Sequence, residues 1–269
     1  MPELPEVEIF KRHLDATCLG RRISGASLRD RRIIGNSSPA RLVARLKGAR
    51  LSASRRHGKY LLIALDKAGW LVMHFGMNGS LRHFRRDDED PAYDRLRLDF
   101  GDDHHLAYVN PRLLGRVELA ADADAFIARE KLGPDALDAK LSLAEFARAV
   151  AGRRRDLKSV LMDQSVVAGI GNIYSDEILF QARLHPRVRA DRLQRGDLKR
   201  LFNKTRSVLR LAVRRGGGAE QARERLPRGF LIRERKKGGR CPRCDGAVAA
   251  IKFSGRTAYY CPRCQPAPR

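Results

Sequence analysis

The chain is short of acid: 31 aspartates and glutamates stand against 55 lysines and arginines, for a formal net charge of +24. It has only five cysteines, no internal repeat and no apolar run near the roughly 18 residues a membrane span requires. The first residues, Met1-Pro2-Glu3-Leu4-Pro5-Glu6, lack the apolar core of a secretory signal. These absences argue against a membrane protein and a disulfide-stapled secreted module, and make the bacterial or organellar cytosol the expected compartment. A charge of this size costs self-repulsion in the compact state, and a polyanionic partner is its usual reason. The bland alternative is an arginine-rich codon bias. With 269 residues, 43% of them hydrophobic, there is enough chain for one large domain or two to three smaller ones.

Up to about residue 125 the pattern is mostly that of strands. Residues 59–66 and 70–75 are short apolar runs ended by turn signals, Lys67-Ala68-Gly69 and the glycines Gly76 and Gly79. Residues 96–100 alternate at period two, and Gly101-Asp102-Asp103 reads as a hairpin turn into 106–109. One helix is expected at the start, over 6–14, where Val7, Phe10 and Leu14 recur at helical spacing after Pro5. From about 130 the pattern becomes helical. Ser142 and Glu145 form a capping box before Phe146 and Val150. A second segment covers 157–163, Gly169-Ile170-Gly171 breaks it, and Asn172 reads as the cap of a helix over 173–184 that Pro186 stops. A basic helix over 198–214 ends at Gly216-Gly217-Gly218. Residues 219–240, charged and poor in apolar side chains, read as a linker or loop.

Cys241-Pro-Arg-Cys244 and Cys261-Pro-Arg-Cys264 carry the strongest local signal. Two such knuckles complete a four-thiolate tetrahedron around zinc, and with every position filled by sulfur the metal is structural. So short a segment cannot bury a core alone, so metal binding supplies its folding energy. Between the pairs, two strands around Ser254-Gly255-Arg256 read as a β-hairpin whose tip residue, Arg256, suits a phosphate or a groove. The leftover Cys18 is expected to be a small buried hydrophobe.

The opening Met1-Pro2-Glu3-Leu4-Pro5-Glu6-Val7-Glu8 and the cysteine module together resemble the formamidopyrimidine-DNA glycosylase family, helix-two-turn-helix enzymes related to the endonuclease VIII group. The resemblance runs nearly the full length. It includes His57-Gly58-Lys59-Tyr60, His74-Phe75-Gly76-Met77-Asn78-Gly79, Asn110-Pro111-Arg112, Lys158 to Gln164, and Ala168 to Tyr174. It implies an α+β chain. An N-terminal β-sandwich with a leading helix (1–125) would carry catalysis, a helix-two-turn-helix domain (130–220) would bind DNA, and a zinc hairpin (235–269) would follow. The implied activity is base excision repair by a glycosylase and abasic-site lyase, with one zinc ion. The partner would be double-stranded DNA carrying damaged bases or abasic sites, with no membrane and a monomeric state expected.

The chemistry is sensible from the residues upward. With Met1 removed, Pro2 is a secondary α-amine, a group whose pKa of about 7.7–8.0 leaves a usable unprotonated fraction at neutral pH. Such an amine can displace a base at C1′ and leave an iminium. Glu3 is placed to move protons, and Glu6 to brace the helix start. The resemblance makes Lys59 a phosphate contact at the lesion needed for catalysis. It gives Lys158, Asn172 and Arg256 as phosphate grips, with Arg256 among the catalytic set, and His74 as a further DNA contact. Asn172 at a helix start also suits phosphate on general grounds. A base must leave the duplex to meet Pro2, and Met77, Arg112 and Leu114 stand at the positions of the family's filling wedge. Leu114 replaces a phenylalanine there, and Asn78 follows the methionine where many members carry another polar residue. Arg233-Glu234 replaces a tyrosine-glycine, and the stretch from 216 to 241 is short for a lesion-capping loop. These departures bear on lesion choice. Leu4, where the endonuclease VIII group usually has glycine, tilts the expectation to oxidised purines over oxidised pyrimidines. A DNA-binding protein without activity is the competing reading.

Overall fold

The structure is a computed structural model, described here for residues 1–67, 69–216, 224–253 and 255–268. It divides into two compact units, one of Met1–Pro2 with Glu6–Lys131, the other of Glu3–Pro5 with Leu132–Arg269.

The first unit contains two four-stranded antiparallel sheets. Strands β1 (Ile23–Leu28), β6 (Asp94–Phe100), β7 (His104–Val109) and β5 (Ser80–Arg85) form one, in that order. Strands β2 (Leu51–His57), β3 (Tyr60–Leu65), β4 (Gly69–His74) and β8 (Arg116–Ala120) form the other. Alternation decides which face of each strand is buried. Leu96, Leu98 and Phe100 of β6 meet Leu61, Ile63, Leu71 and Met73 of the second sheet in one core. The expected turn at Gly101-Asp102-Asp103 joins β6 to β7, with Asp103 in the left-handed region at φ 59°. The turn expected at Lys67-Ala68-Gly69 includes Ala68, which lies outside the described residues. Helix α1 (Leu4–Thr17) sends Val7, Phe10 and Leu14 into the same core, as their spacing requires. Cys18 lies there fully buried, as expected of a small hydrophobe. Helix α2 (Pro39–Leu46) corrects the all-strand reading of this region. Ser38 caps it and Pro39 opens it, and its Leu42 and Leu46 are buried.

In the second unit α4 (Leu143–Ala151), α5 (Leu157–Met162), α6 (Asn172–Ala182) and α7 (Arg195–Arg215) share a second core. The Ser142–Glu145 capping box is formed. Helix α7 buries Leu201, Thr205, Val208, Leu209, Ala212 and Val213 at three- and four-residue intervals and exposes its basic side chains between them. It stops at Gly216, φ +94°, a left-handed cap that suits glycine; Gly217 and Gly218 lie outside the described residues. The expected linker over 219–240 is corrected in its described part. Leu226, Phe230, Leu231 and Ile232 are all buried. Leu226, Phe230 and Ile232 anchor the segment to the helical core and Leu231 packs in the cluster with Cys241 and Cys261, while residues 217–223 lie outside the described residues. Strands β9 (Ala249–Phe253) and β10 (Arg256–Tyr260) form the expected hairpin; Ser254 of its turn lies outside the described residues. Helix α3 (Ala123–Arg129), capped by Asp122, closes the first unit's sequence. Among the described residues no helix is long and apolar enough to cross a membrane.

Candidate active site

In the second unit, the chain's third residue closes a helix that begins 169 positions later. Glu3 is 1% exposed. Its carboxylate accepts from the backbone N–H groups of Gly171 (2.6 Å), Ile173 (2.8 Å) and Tyr174 (3.2 Å). These are donors that the start of α6 leaves unsatisfied, and a negative charge there also meets the positive end of the helix dipole. Leu4 N–H donates to the Gly169 carbonyl and fixes the same junction. Two glycines make room: a Cβ on Gly171 would lie 2.4 Å from Glu3 Cδ, and one on Gly169 2.6 Å from Leu4. The expectation that Asn172 caps α6 is therefore corrected. Gly171 holds the cap position and offers no side chain, so Glu3 supplies the acceptor across the sequence, and Asn172 is the first helical residue. Asn172 Oδ1 is buried with no hydrogen-bond partner among the described residues.

Lys158, expected as a phosphate grip, is fully buried. Its ammonium donates to Asp176 Oδ1 (2.6 Å), Ser175 Oγ (2.8 Å) and the Asn172 carbonyl (3.1 Å). Burial pushes its pKa down, and the Asp176 carboxylate opposes that. An ammonium out of water needs acceptors for all three protons, which explains this inward arrangement. Asp176 Oδ2 accepts in turn from Arg235 Nε at 2.8 Å. Arg256, at the exposed end of the hairpin, lines a surface cavity of about 260 Å³ with Arg155, Lys158, Ser159, Met162 and Phe253. Thus Lys158 forms part of the lining beneath Arg256, Asn172 sits above Lys158, and Glu3 closes the helix that carries Asn172. Sequence spacing missed Asp176 and Arg235 because nothing local marks two residues 59 apart as partners.

The first unit holds the remaining expected residues. Pro2 is half-buried. Lys59 is buried in the two-residue turn Gly58–Lys59 that joins β2 to β3, so it precedes the strand it was expected to open. The structural reason is register: His57 pairs directly with Tyr60. His74 ends β4, and its Nδ1 accepts from Gly76 N–H at 3.3 Å. Burial first, then the nearby positive charge of Lys59, lowers its pKa to about 4, so the ring is neutral at physiological pH. The turn after it presents Met77, 45% exposed, and the loop between β7 and β8 presents Leu114, 51% exposed, two of the few large apolar side chains so exposed among the described residues. Gly76 lets their loops touch, since a Cβ there would lie 2.4 Å from the Leu114 carbonyl. Arg112 is exposed beside them. A core role for Met77 is thereby excluded.

The four cysteine sulfurs of the hairpin module lie within 4.8 Å of one another, with Cys241 and Cys264 at 3.8 Å and Cys244 and Cys261 at 3.5 Å. A tetrahedron with Zn–S bonds of about 2.3 Å has edges of about 3.8 Å. The donor set and spacing fit one structural zinc ion held by Cys241, Cys244, Cys261 and Cys264.

Comparison with known proteins agrees along the whole chain. Residues 1–117 match the formamidopyrimidine-DNA glycosylase N-terminal domain, 132–224 its H2TH domain, and 238–267 a zinc finger found in FPG and IleRS. The chain belongs to the formamidopyrimidine-DNA glycosylase family. It is a DNA glycosylase of DNA repair, with a zinc-finger module. Formamidopyrimidine-DNA glycosylase of Acidothermus cellulolyticus is 38% identical over 100% of this chain and 99% of the relative. That of Halorhodospira halophila is 37% identical over 98% and 100%. A Lactococcus lactis Fpg variant in complex with Fapy-dG-containing DNA has the same fold, at TM-score 0.88 and 28% identity over 99% of this chain and 100% of that one. The same enzyme with abasic-site DNA gives 0.87 and 27%, over 98% of this chain and 100% of that one.

Proposed function

We propose that this glycosylase is bifunctional, removing oxidised purines such as 8-oxoguanine and formamidopyrimidines from duplex DNA and then cutting the strand through a Schiff base on Pro2. The observation that carries the reading is the three-donor clamp on Glu3. It fixes the residue next to Pro2, so the amine exposed by loss of Met1 is held at a defined place and not on a loose terminus. Pro2 nitrogen attacks C1′ and the C1′–base bond breaks, the base taking a proton as it leaves. The sugar O4′ then departs with a proton and the nitrogen–C1′ link becomes an iminium. That cation acidifies C2′–H; its loss expels the 3′ phosphate, and a second elimination expels the 5′ phosphate. Water hydrolyses the remaining iminium, releasing the sugar fragment as an aldehyde with a proton, and frees Pro2. Glu3 is the proton-handling group beside the amine. Lys59, Asn172 and Arg256 contact phosphates around the everted nucleotide. His74, neutral, offers its Nε2–H in the same region.

Met77, Arg112 and Leu114 fill the hole left in the duplex, their exposure being what a wedge requires. The net charge of +24 suits a polyphosphate partner and makes binding salt-dependent. A monomer in the bacterial cytosol fits this reading. Borohydride trapping on duplexes with 8-oxoguanine, formamidopyrimidine, an oxidised pyrimidine or an abasic site tests it. Covalent capture on the purine lesions, lost in Pro2→Gly and crippled in Lys59→Ala, is expected. Capture on pyrimidine lesions alone would move the assignment to an endonuclease VIII-like preference. No capture on any substrate would leave a DNA-binding protein without activity.

A further inference from the structure

Asp176 belongs to none of the motifs above, yet it joins four segments. It is 1% exposed in the second turn of α6. One oxygen takes Lys158 of α5, the other takes Arg235 of the segment that follows Leu231–Glu234, and the backbone of Tyr259 in β10 also donates to it. Both cations reach past Asp176 to one further atom, the Asn172 carbonyl, Lys158 at 3.1 Å and Arg235 at 3.3 Å. Arg235 also lies over the Tyr259 ring, 4.8 Å from its centre. Tyr259 is three residues along the strand from Arg256. A single buried carboxylate thus fixes the start of α6, the floor of the cavity beneath Arg256, and the hairpin that carries Arg256.

The charge arrangement points the same way. One carboxylate faces two cations, so the cluster stays net positive under a cavity whose rim adds Arg155 and Arg256 against Asp163. Remove the carboxylate and buried Lys158 keeps Ser175 Oγ and the Asn172 carbonyl as acceptors but loses the counter-charge in contact with it, which favours the neutral amine.

We infer that Asp176 is the positioning residue of the phosphate clamp: it keeps Lys158 charged beneath the cavity and holds Asn172 and Arg256 in register, without touching DNA itself. The inference rests on the proposed function, because it takes Asn172 and Arg256 to meet phosphate.

The test uses the zinc-loaded full chain and a duplex containing a tetrahydrofuran abasic analogue, with Kd measured by fluorescence anisotropy over a range of salt. Asp176→Asn keeps the shape and removes the charge. Expected is a Kd at least about tenfold weaker at the wild-type salt slope, since losing the Asp176 charge and the Lys158 proton together leaves the cluster's net charge unchanged and removes no phosphate contact. In single-turnover trapping on abasic DNA, affinity should fall more than the saturating rate. Wild-type affinity in Asp176→Asn overturns the inference, as does a lost saturating rate at unaltered Kd. Should Asp176→Asn not fold, Arg235→Gln keeps the Lys158–Asp176 pair and is expected to weaken Kd about threefold or more at the wild-type slope; wild-type Kd there overturns the inference. A wild-type protein that neither binds nor traps abasic DNA sinks the functional reading, and the positioning role with it. A wild-type protein that does both, beside variants that match it, sinks the positioning role alone.

Discussion

Replacing Gly171 with alanine adds one methyl group and leaves every proposed reacting group in the sequence. Its backbone, at φ −126°, accepts alanine. The new Cβ, however, would lie 2.4 Å from Glu3 Cδ and 2.5 Å from Oε1, against the roughly 3.4 Å that ordinary contact allows. Glu3 must retreat by about 1 Å, and its bonds to Gly171, Ile173 and Tyr174, now 2.6, 2.8 and 3.2 Å, cannot all survive. Hydrogen bonds to a charged group contribute about 1.5–3 kcal/mol each, so losing one or two costs about 2–5 kcal/mol at this junction. For a unit of this size that corresponds to a Tm lower by about 5–15 °C. A displacement of about 1 Å in a reacting constellation costs about 100-fold in rate. Single-turnover borohydride trapping on an abasic duplex, with calorimetry alongside, reads both. Gly196→Ala is the control: it sits in α7 with nothing within 4 Å of the added carbon. It should raise stability by about 0.5–1 kcal/mol and leave trapping alone. If Gly171→Ala traps within threefold of wild type and melts at the same temperature, the idea that Glu3 is held through this clamp is wrong.

Three further outcomes follow. Glu177 is wholly buried, and that burial raises its pKa to about 7 although Ile232 N–H and Gln181 donate to it. A carboxyl whose folded pKa is raised stabilises the fold below its unfolded value near 4.5 and loses that contribution as pH rises through about 7. Glu177→Gln should therefore flatten the fall in Tm between those two values, by up to about 3 kcal/mol, and an unaltered pH dependence would contradict the assignment. Met77→Ala and Leu114→Ala should each leave Tm within about 1 °C, because their side chains are already half in solvent. Both should weaken binding to lesion duplexes about 10-fold or more, which a filter or anisotropy assay reads. Finally, mass spectrometry of the native protein should find one zinc per chain. Chelation should expose the hairpin amides to hydrogen exchange while those of β3 and β4 stay protected, since the metal supplies the module's folding energy.

Much of this was legible in the sequence because it is local. Period-two alternation in 96–100, the capping box at Ser142 and the spacing of Cys241, Cys244, Cys261 and Cys264 each specify geometry within a few residues. So does the turn around Met77, which glycines flank. What the sequence hid is long-range or depends on a neighbour. Asn172 looked like a cap because asparagine usually is one at a helix start, and nothing nearby revealed that Glu3 already fills that place. Lys158 was expected as a phosphate grip from the resemblance alone, and its burial depends on Asp176, which is on another helix. The 219–240 stretch read as linker by composition, whereas four clustered apolar residues suffice to dock its second half. Helix α2 was masked by a short amphipathic run between strands, where only the Ser38–Pro39 pair signals it.

The Glu3 clamp also has a temporal side. Its partners are 168, 170 and 171 residues away along the chain. During synthesis at about 5–20 residues per second, the N-terminus therefore waits on the order of ten seconds or more for the helix that will hold it. Until then Glu3 has no helix donors to accept from, and the residues before it are an ordinary flexible chain end. Closing so long a loop is entropically slow, so docking of the N-terminus comes late in folding. A nascent or truncated chain thus has its N-terminus undocked, and the Glu3 junction is assembled only in a molecule whose helical half is complete.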